Sequence, residues 1–360
     1  MKNQANFRLL LTLVFGLMAM IGIAQNDKQE KEGFNPIELI DSHVWDSHEF
    51  HITDWKGSPV TLHLPIILWT DNGLTVFSSS KFDHDNSGKV VVEANGNKFV
   101  RYDENIFYAD KFDQADFDAT SVLAKPFKYE YRPLDFSITK TVFSMLLSLV
   151  LLLIIFMSAA RPYKKNDKAP RGLAGFMEPL ILFVRDDIAV PQLGSHASRF
   201  MPYLLTVFFF IWINNIIGII PFFPFGGNLT GNIIFTFTMA IIVYLLTTFN
   251  GNKHYWSHIL NPPVPLPLKP LLALIEIIGT LTKPFALMVR LFANMTAGHI
   301  IILSLSSLIF IFGSVAIAPV SILFVLFMTV LKLLVAALQA YIFTLLAALF
   351  IGQAVATSEE

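Results

Sequence analysis

Between Met201 and Ala356 the chain carries one acid, Glu276, and five bases, Lys253, Lys269, Lys283, Arg290 and Lys332. The last three bases and the acid lie inside long apolar runs. An ionisable group in a bilayer costs at least about 2.5–3.5 kcal/mol on insertion scales, so such groups face a bundle interior, water or a charged partner. Glu276, Lys283 and Arg290 recur every seven residues and share one stripe of a helix. Asn294 lies one turn beyond Arg290 on that side, and His299 falls on nearly the opposite face. On a second helix Lys332 and Gln339 share a stripe with Ala336 between them. Lys283 reads as a snorkelling base with Glu276 as a possible intrahelical partner, and Gln339 as a hydrogen-bonding contact between helices. Arg290 resists such readings. It has no acid three or four residues away on either side, and a guanidinium stays charged in proteins. A permanent cation in an apolar helix calls for an anion supplied by another subunit.

The elements that position these residues follow from hydropathy. Of 360 residues 54% are hydrophobic and 15% charged, where a soluble domain carries about 25% charged. Residues 1–24 have a basic start (Lys2, Arg8), an apolar run and small residues Gly22 and Ala24, the pattern of a cleaved signal peptide. Ser137–Ala160 is long enough to span, and Arg161, Lys164, Lys165, Lys168 and Arg171 after it mark the cytoplasmic side. Gly172–Pro191 reads as a short amphipathic helix on the membrane surface. Met201–Phe223 and Asn232–Phe249 are the next spans, and Asn250–Pro270 is a polar, proline-rich cytoplasmic loop. Leu271–Phe312 and Pro319–Ala356 would each make about 60 Å of helix against a hydrocarbon core of about 30 Å. With no strong breaker in either, two long, strongly tilted helices joined by a turn near 313–319 are expected, and the C-terminus is cytoplasmic.

Residues 25–136 carry 20 acids and 11 bases, against 7 and 13 in residues 137–360. The acidic block has alternating stretches at Phe50–Ile52, Val60–Trp69, Leu74–Phe77, Lys89–Glu93 and Lys98–Tyr102. Turn signals separate them at Asp71-Asn-Gly73, Ser87-Gly88 and Asn95-Gly-Asn97. A small, mostly β exported module is expected. His43, His48 and His51 beside Asp41, Asp46 and Glu49 lack a metal-site spacing and read as solvated linker residues. The absence of cysteine excludes disulfides and thiolate chemistry, and the bases form no nucleic-acid-binding stripe. No cofactor or metal is expected. A secondary ion transporter or channel would also use intramembrane charge, but it should show internal repeats, and none is found.

The stretch Glu276-Ile-Ile-Gly-Thr-Leu-Thr-Lys-Pro-Phe-Ala-Leu-Met-Val-Arg290-Leu-Phe-Ala-Asn294-Met-Thr-Ala-Gly-His299 resembles the central signature of subunit a of F-type ATP synthases. Leu338-Gln339-Ala340-Tyr341-Ile342-Phe343 resembles the second signature on the last helix, with weaker matches at Phe183–Ala189 and Asn214–Pro221. The resemblance covers about 176–352. It implies an all-α membrane protein of about five membrane helices, with a C-terminal pair of long, strongly tilted helices, in a bacterial inner membrane. It also implies a non-catalytic stator with two proton half-channels, an essential arginine at Arg290, and channel positions at Asn294, Gln339, Glu276, His299 and Lys332. The implied partners are a c-subunit ring, the b-subunit peripheral stalk, the remaining synthase subunits and the lipid bilayer. Lys332 departs from the pattern, since many members carry a histidine or an acid there. The expected organisation is a signal peptide over 1–24, an exported β-rich region over 25–136 and a membrane domain over 137–360.

Overall fold

The computed structural model describes residues 46–55, 58–112, 132–164, 171–220, 227–262, 264–265, 268–312 and 317–356. The expected signal peptide, His43, Asp41 and the turn residues 313–316 lie outside them, as does the side chain of His51.

The N-terminal part is a β module of three small antiparallel sheets: β1 (Glu49–Trp55) with β2 (Ser58–His63); β4 (Gly73–Ser78), β3 (Pro65–Thr70) and β8 (Leu134–Asp135); and β5 (Val92–Ala94), β6 (Asn97–Tyr102) and β7 (Asn105–Tyr108). Asn95 (φ 50°) and Gly96 (φ 74°) form the expected two-residue turn of the β5–β6 hairpin, both in the left-handed region that such a turn requires. The stretch Val60–Trp69 is not one strand. It breaks at Leu64, whose N–H donates to His48 O at 3.1 Å, and its halves join different sheets. The apolar faces meet in a core of Ile66, Leu68, Phe77, Phe82, Val92, Phe99 and Ile106.

This module is fastened to the first membrane helix, α1 (Lys140–Ala160). The first helical amides have no intrahelical acceptor and need other partners. Lys140 N donates to Ser47 O (2.8 Å), Thr141 N to Asp46 Oδ1 (2.9 Å), and Val142 N to the capping Thr139 Oγ1 (3.4 Å).

Among the described residues, four helical stretches are long and apolar enough to cross a membrane, or five if a bent pair is one span. After α1 come α2 (Leu173–Phe183), a π-helical stretch Val184–Ala189, the single turn α3 (Val190–Leu193) and α4 (Ala197–Ile219). Gly172–Pro191, expected as a short amphipathic helix, is helical and two-faced. Val184, Ile188 and Ala189 are fully buried against α4 and the C-terminal helix, while Arg185, Asp186 and Asp187 stay exposed. The π turn shifts the helical phase so that one face keeps these apolar residues inside. α5 (Ile233–Phe249) begins at Asn232, whose side chain accepts from Ile234 N and Phe235 N. The region read as a loop holds a short helix, α6 (Lys253–Leu260), bent 102° from α5.

The last two helices, α7 (Lys269–Phe312) and α8 (Ala318–Val355), are continuous over 44 and 38 residues, as the length of their apolar runs predicts. At 1.5 Å per residue they measure about 66 and 57 Å, so they must run obliquely for their apolar lengths to stay within a bilayer. α8 lies against α4 through Ala336, Ala340, Ala347 and Ala348, all buried. Gly352 permits a close approach to α3, because a Cβ there would collide with the Gln192 carbonyl.

Candidate functional site

α7 and α8 run antiparallel, and four contacts set their register. Lys283 Nζ donates to Gln353 Oε1 at 3.0 Å, and Asn294 Nδ2 donates to Gln339 Oε1 at 2.7 Å. Further along, the Lys332 side chain lies on Gly298, and Ser321 Oγ donates to Leu305 O. Asn294 and Gln339 are therefore brought together across 45 residues of sequence. The amide pair is well placed to fix register, because Gln339 is buried and an unpaired amide there would carry a desolvation penalty.

Lys332 is 7% exposed and has no ion pair among the described residues. Its Cε stands 3.0 Å from where a Cβ on Gly298 would be, so the glycine makes room for the lysine stem. His299, next along α7, reaches the end of α4. Its Nε2 lies 2.8 Å from Gly218 O at the end of α4, and its Nδ1 lies 3.1 Å from Met295 O. A neutral imidazole has one N–H and can donate to only one of these carbonyls; the doubly protonated ring donates to both.

Around His299 the helices bury a layer of small polar groups. Thr230 Oγ1 donates to Asn215 Oδ1 (2.7 Å), Asn215 Nδ2 to Ala336 O (3.3 Å), and Thr296 Oγ1 to Gly231 O (3.4 Å). Ser144 sits against Gly227. Ser144 Oγ, Asn214 Oδ1 and both polar atoms of the Asn228 side chain are buried without a hydrogen-bond partner among the described residues. Hydropathy does not single out Ser144, Thr230, Asn228 or Thr296, because isolated small polar residues do not interrupt an apolar run. Only their convergence shows them.

Arg290 stands apart. It is exposed on α7, and among the described residues it makes neither an ion pair nor a side-chain hydrogen bond. Phe285 and Val289 beside it on α7, and Leu331, Leu334 and Leu338 on α8, are also exposed. Glu276 lies 14 residues before it, about 21 Å along the helix, and makes no ion pair among the described residues. Lys283 is not held by Glu276: it reaches Gln353 and lies 5.4 Å from the Phe350 ring centre. The six singled-out residues thus divide into a joined pair (Asn294, Gln339), a neighbouring pair at Gly298 (His299, Lys332), and two isolated charges (Arg290, Glu276).

Residues 142–352 match the family model described as ATP synthase A chain. Residues 39–136 match a separate model described only as a domain of unknown function, DUF8433. The chain is similar to ATP synthase subunit a of Chloroherpeton thalassium, with 46% identity over 252 residues, 68% of this chain and 74% of the relative. It is 46% identical to ATP synthase subunit a 2 of Chlorobaculum tepidum over 234 residues, 63% of this chain and 65% of the relative. Over 226 residues it is 45% identical to ATP synthase subunit a of Chlorobium phaeobacteroides strain BS1, 61% of this chain and 66% of the relative.

Proposed function

This chain belongs to the ATP synthase A chain family, and from that premise we propose that it is the stator of a membrane proton channel whose arginine, Arg290, faces the carboxylates of a rotating c-subunit ring. The observation that carries the reading is the setting of Arg290: a permanent cation on an apolar helix, exposed, with no anion of its own chain beside it among the described residues. A ring carboxylate facing lipid must be protonated, because a bare charge in hydrocarbon is too costly. Opposite Arg290 the ionised form is favoured by the nearby positive charge. The ring therefore turns by taking a proton on one side and releasing it on the other. Arg290, which does not give up its own proton, blocks a direct leak between the two paths. Each charge moved through 100 mV supplies about 2.3 kcal/mol, so several protons pass for each ATP made.

Two supports come from the surroundings. The buried polar layer at Ser144, Asn214, Asn228, Thr230 and His299 suits one aqueous half-channel, since water would satisfy its unpartnered atoms. Carbonyls at both His299 nitrogens orient the imidazole within this layer, and the ring is the titratable group that water in the half-channel would reach. Glu276, Lys283 and Gln353, toward the other ends of α7 and α8, belong to the second path, and the Asn294–Gln339 pair holds the helices beside Arg290. Lys332, without an anion beside it among the described residues, adds positive charge near His299. The subunit does no bond chemistry. It assembles with the c-ring, a b-subunit peripheral stalk and the remaining synthase subunits in a bacterial inner membrane. Residues 25–136 lie outside the cytoplasm after removal of residues 1–24, residues 137–360 form the membrane domain, and the C-terminus is cytoplasmic.

The test is Arg290→Ala in the assembled complex. ATP-driven acidification of inverted vesicles and proton-driven ATP synthesis should both fall to background. Retained pumping would overturn the assignment.

A further inference from the structure

The β module brings together three side chains that the proton path does not use. Glu49 lies on β1, His63 ends β2, and His84 follows the short 3-10 turn Ser79–Phe82 after β4. One ligand atom from each lies within 4.8 Å of the other two. His84 Nδ1 is 2.9 Å and His63 Nε2 is 3.9 Å from the same carboxylate oxygen, Glu49 Oε2. The two imidazole centroids are 5.2 Å apart. Nitrogen and oxygen ligands at about 2.1 Å from a tetrahedral ion stand roughly 3.4 Å from one another, and the two observed separations bracket that value.

The surroundings orient the carboxylate. Its other oxygen, Oε1, is held by Arg101 Nη2 at 3.2 Å. Arg101 is fully buried and fixed in turn by Asp85 O, which accepts from its Nε at 2.8 Å. One oxygen is therefore committed to a guanidinium and the other is turned toward the two imidazoles, which is how groups behind a metal site aim its ligands. His84 also has φ 61°, next to Asp83 at φ 48°. Two successive non-glycine residues in the left-handed region are uncommon, and this turn carries the imidazole to the carboxylate. A simple ion pair needs one imidazole on the carboxylate oxygen. Here two converge on it.

We propose that Glu49, His63 and His84 bind one zinc ion, clamping the β1–β2 hairpin to the loop after β4. Two imidazoles and a carboxylate without thiolate form a borderline donor set that suits zinc, and three protein ligands leave a fourth position for water. The hairpin starts just after Ser47, whose carbonyl accepts from the first amide of α1, so the ion would brace the part of the module nearest the membrane. The proposal does not depend on the role given to α7 and α8.

The full-length chain, purified in detergent without a histidine tag and stripped with chelator, is titrated with ZnCl2 against a chromophoric chelator. Bound zinc is counted by mass spectrometry after gel filtration. One zinc per chain is expected. His84→Asn should weaken binding at least tenfold without disturbing the backbone, because asparagine tolerates the left-handed region. His63→Gln should do the same, and His254→Gln on α6 should leave affinity unchanged. Absence of zinc uptake by the unsubstituted chain, or an affinity in His84→Asn and His63→Gln equal to that of the unsubstituted chain, would overturn the proposal.

Discussion

Two arginines in one chain live under opposite rules. Arg101, in the β module, is fully buried and partnered from within: Glu49 takes Nη2, the Asp85 carbonyl takes Nε, and the Phe82 ring lies 5.8 Å from its centre, while Nη1 has no hydrogen bond among the described residues. Arg290, on α7, is exposed and makes no ion pair among the described residues. A charge completed inside its own chain serves the fold. A charge left open on an apolar surface serves something the chain meets. His48 follows the first rule, standing 3.6 Å from Asp135 and 3.9 Å from Glu104. Lys332 is a halfway case, buried like Arg101 but without an anion among the described residues.

The contrast is sharpest if the two arginines are changed separately. Arg101→Ala takes the guanidinium from Glu49 and from the Asp85 carbonyl and should destabilise the β module by about 3–5 kcal/mol, the range for breaking a buried ion pair. Hydrogen exchange of β-module amides in the full-length chain reads this. If the same amides lose as much protection in Arg290→Ala, the division between the two arginines fails.

A smaller effect comes from pH. Burial disfavours the His48 cation, but the Asp135 and Glu104 carboxylates outweigh it and raise its pKa to about 9. A raised histidine stabilises the fold fully below its unfolded value, near 6.5, and loses that contribution as pH climbs through 9. The shift amounts to on the order of 3 kcal/mol. Burial works against the charged forms of Asp135 and Glu104 too, yet His48 holds both below their ordinary values, so the pair is also lost as pH falls through those lowered values. Amide protection of the module should hold near neutrality and decline toward pH 10, and His48→Gln should flatten the alkaline limb. An unchanged alkaline limb in that variant would sink the internal pairing of His48.

The smallest expected effect separates two contacts within α7 and α8. Gln339→Leu removes the bond from the exposed Asn294, at about 0.5–1.5 kcal/mol, and should cut ATP-driven proton pumping several-fold. Lys283→Leu removes an exposed contact to Gln353 and should stay within about twofold, in line with about 0–1 kcal/mol for exposed charged contacts. Equal losses would mean that the Asn294–Gln339 pair is not the part of the α7–α8 contact that coupling needs.

What the sequence reveals depends on whether a feature is written locally. Asn95-Gly96 announces its hairpin, whereas the β6–β7 turn uses Asp103 (φ 49°) and Glu104 (φ 59°), with no glycine or asparagine at the tip. That turn is invisible in the sequence, and β7 with it. The tertiary use of Glu104 beside His48 accompanies this uncommon backbone. The unbroken lengths of α7 and α8 follow from run length alone. The inward packing of Val184, Ile188 and Ala189 does not, because a π turn changes the helical phase without changing composition. At the site, Arg290 is legible as a charge out of place. The seating of Lys332 on Gly298 and the bond from Asn294 to Gln339 are not, since each depends on the register of helices far apart in sequence.

The seam between the β module and α1 has a mechanical consequence. Backbone groups on both sides share hydrogen bonds: Phe136 N with Ile67 O, Ile138 N with Pro65 O and Lys140 N with Ser47 O. A bead on a string would swing without disturbing the helix that carries it. A bracket welded at three points turns with its beam, so a sideways load on α1 reaches the sheets, and whatever grips the sheets steadies α1.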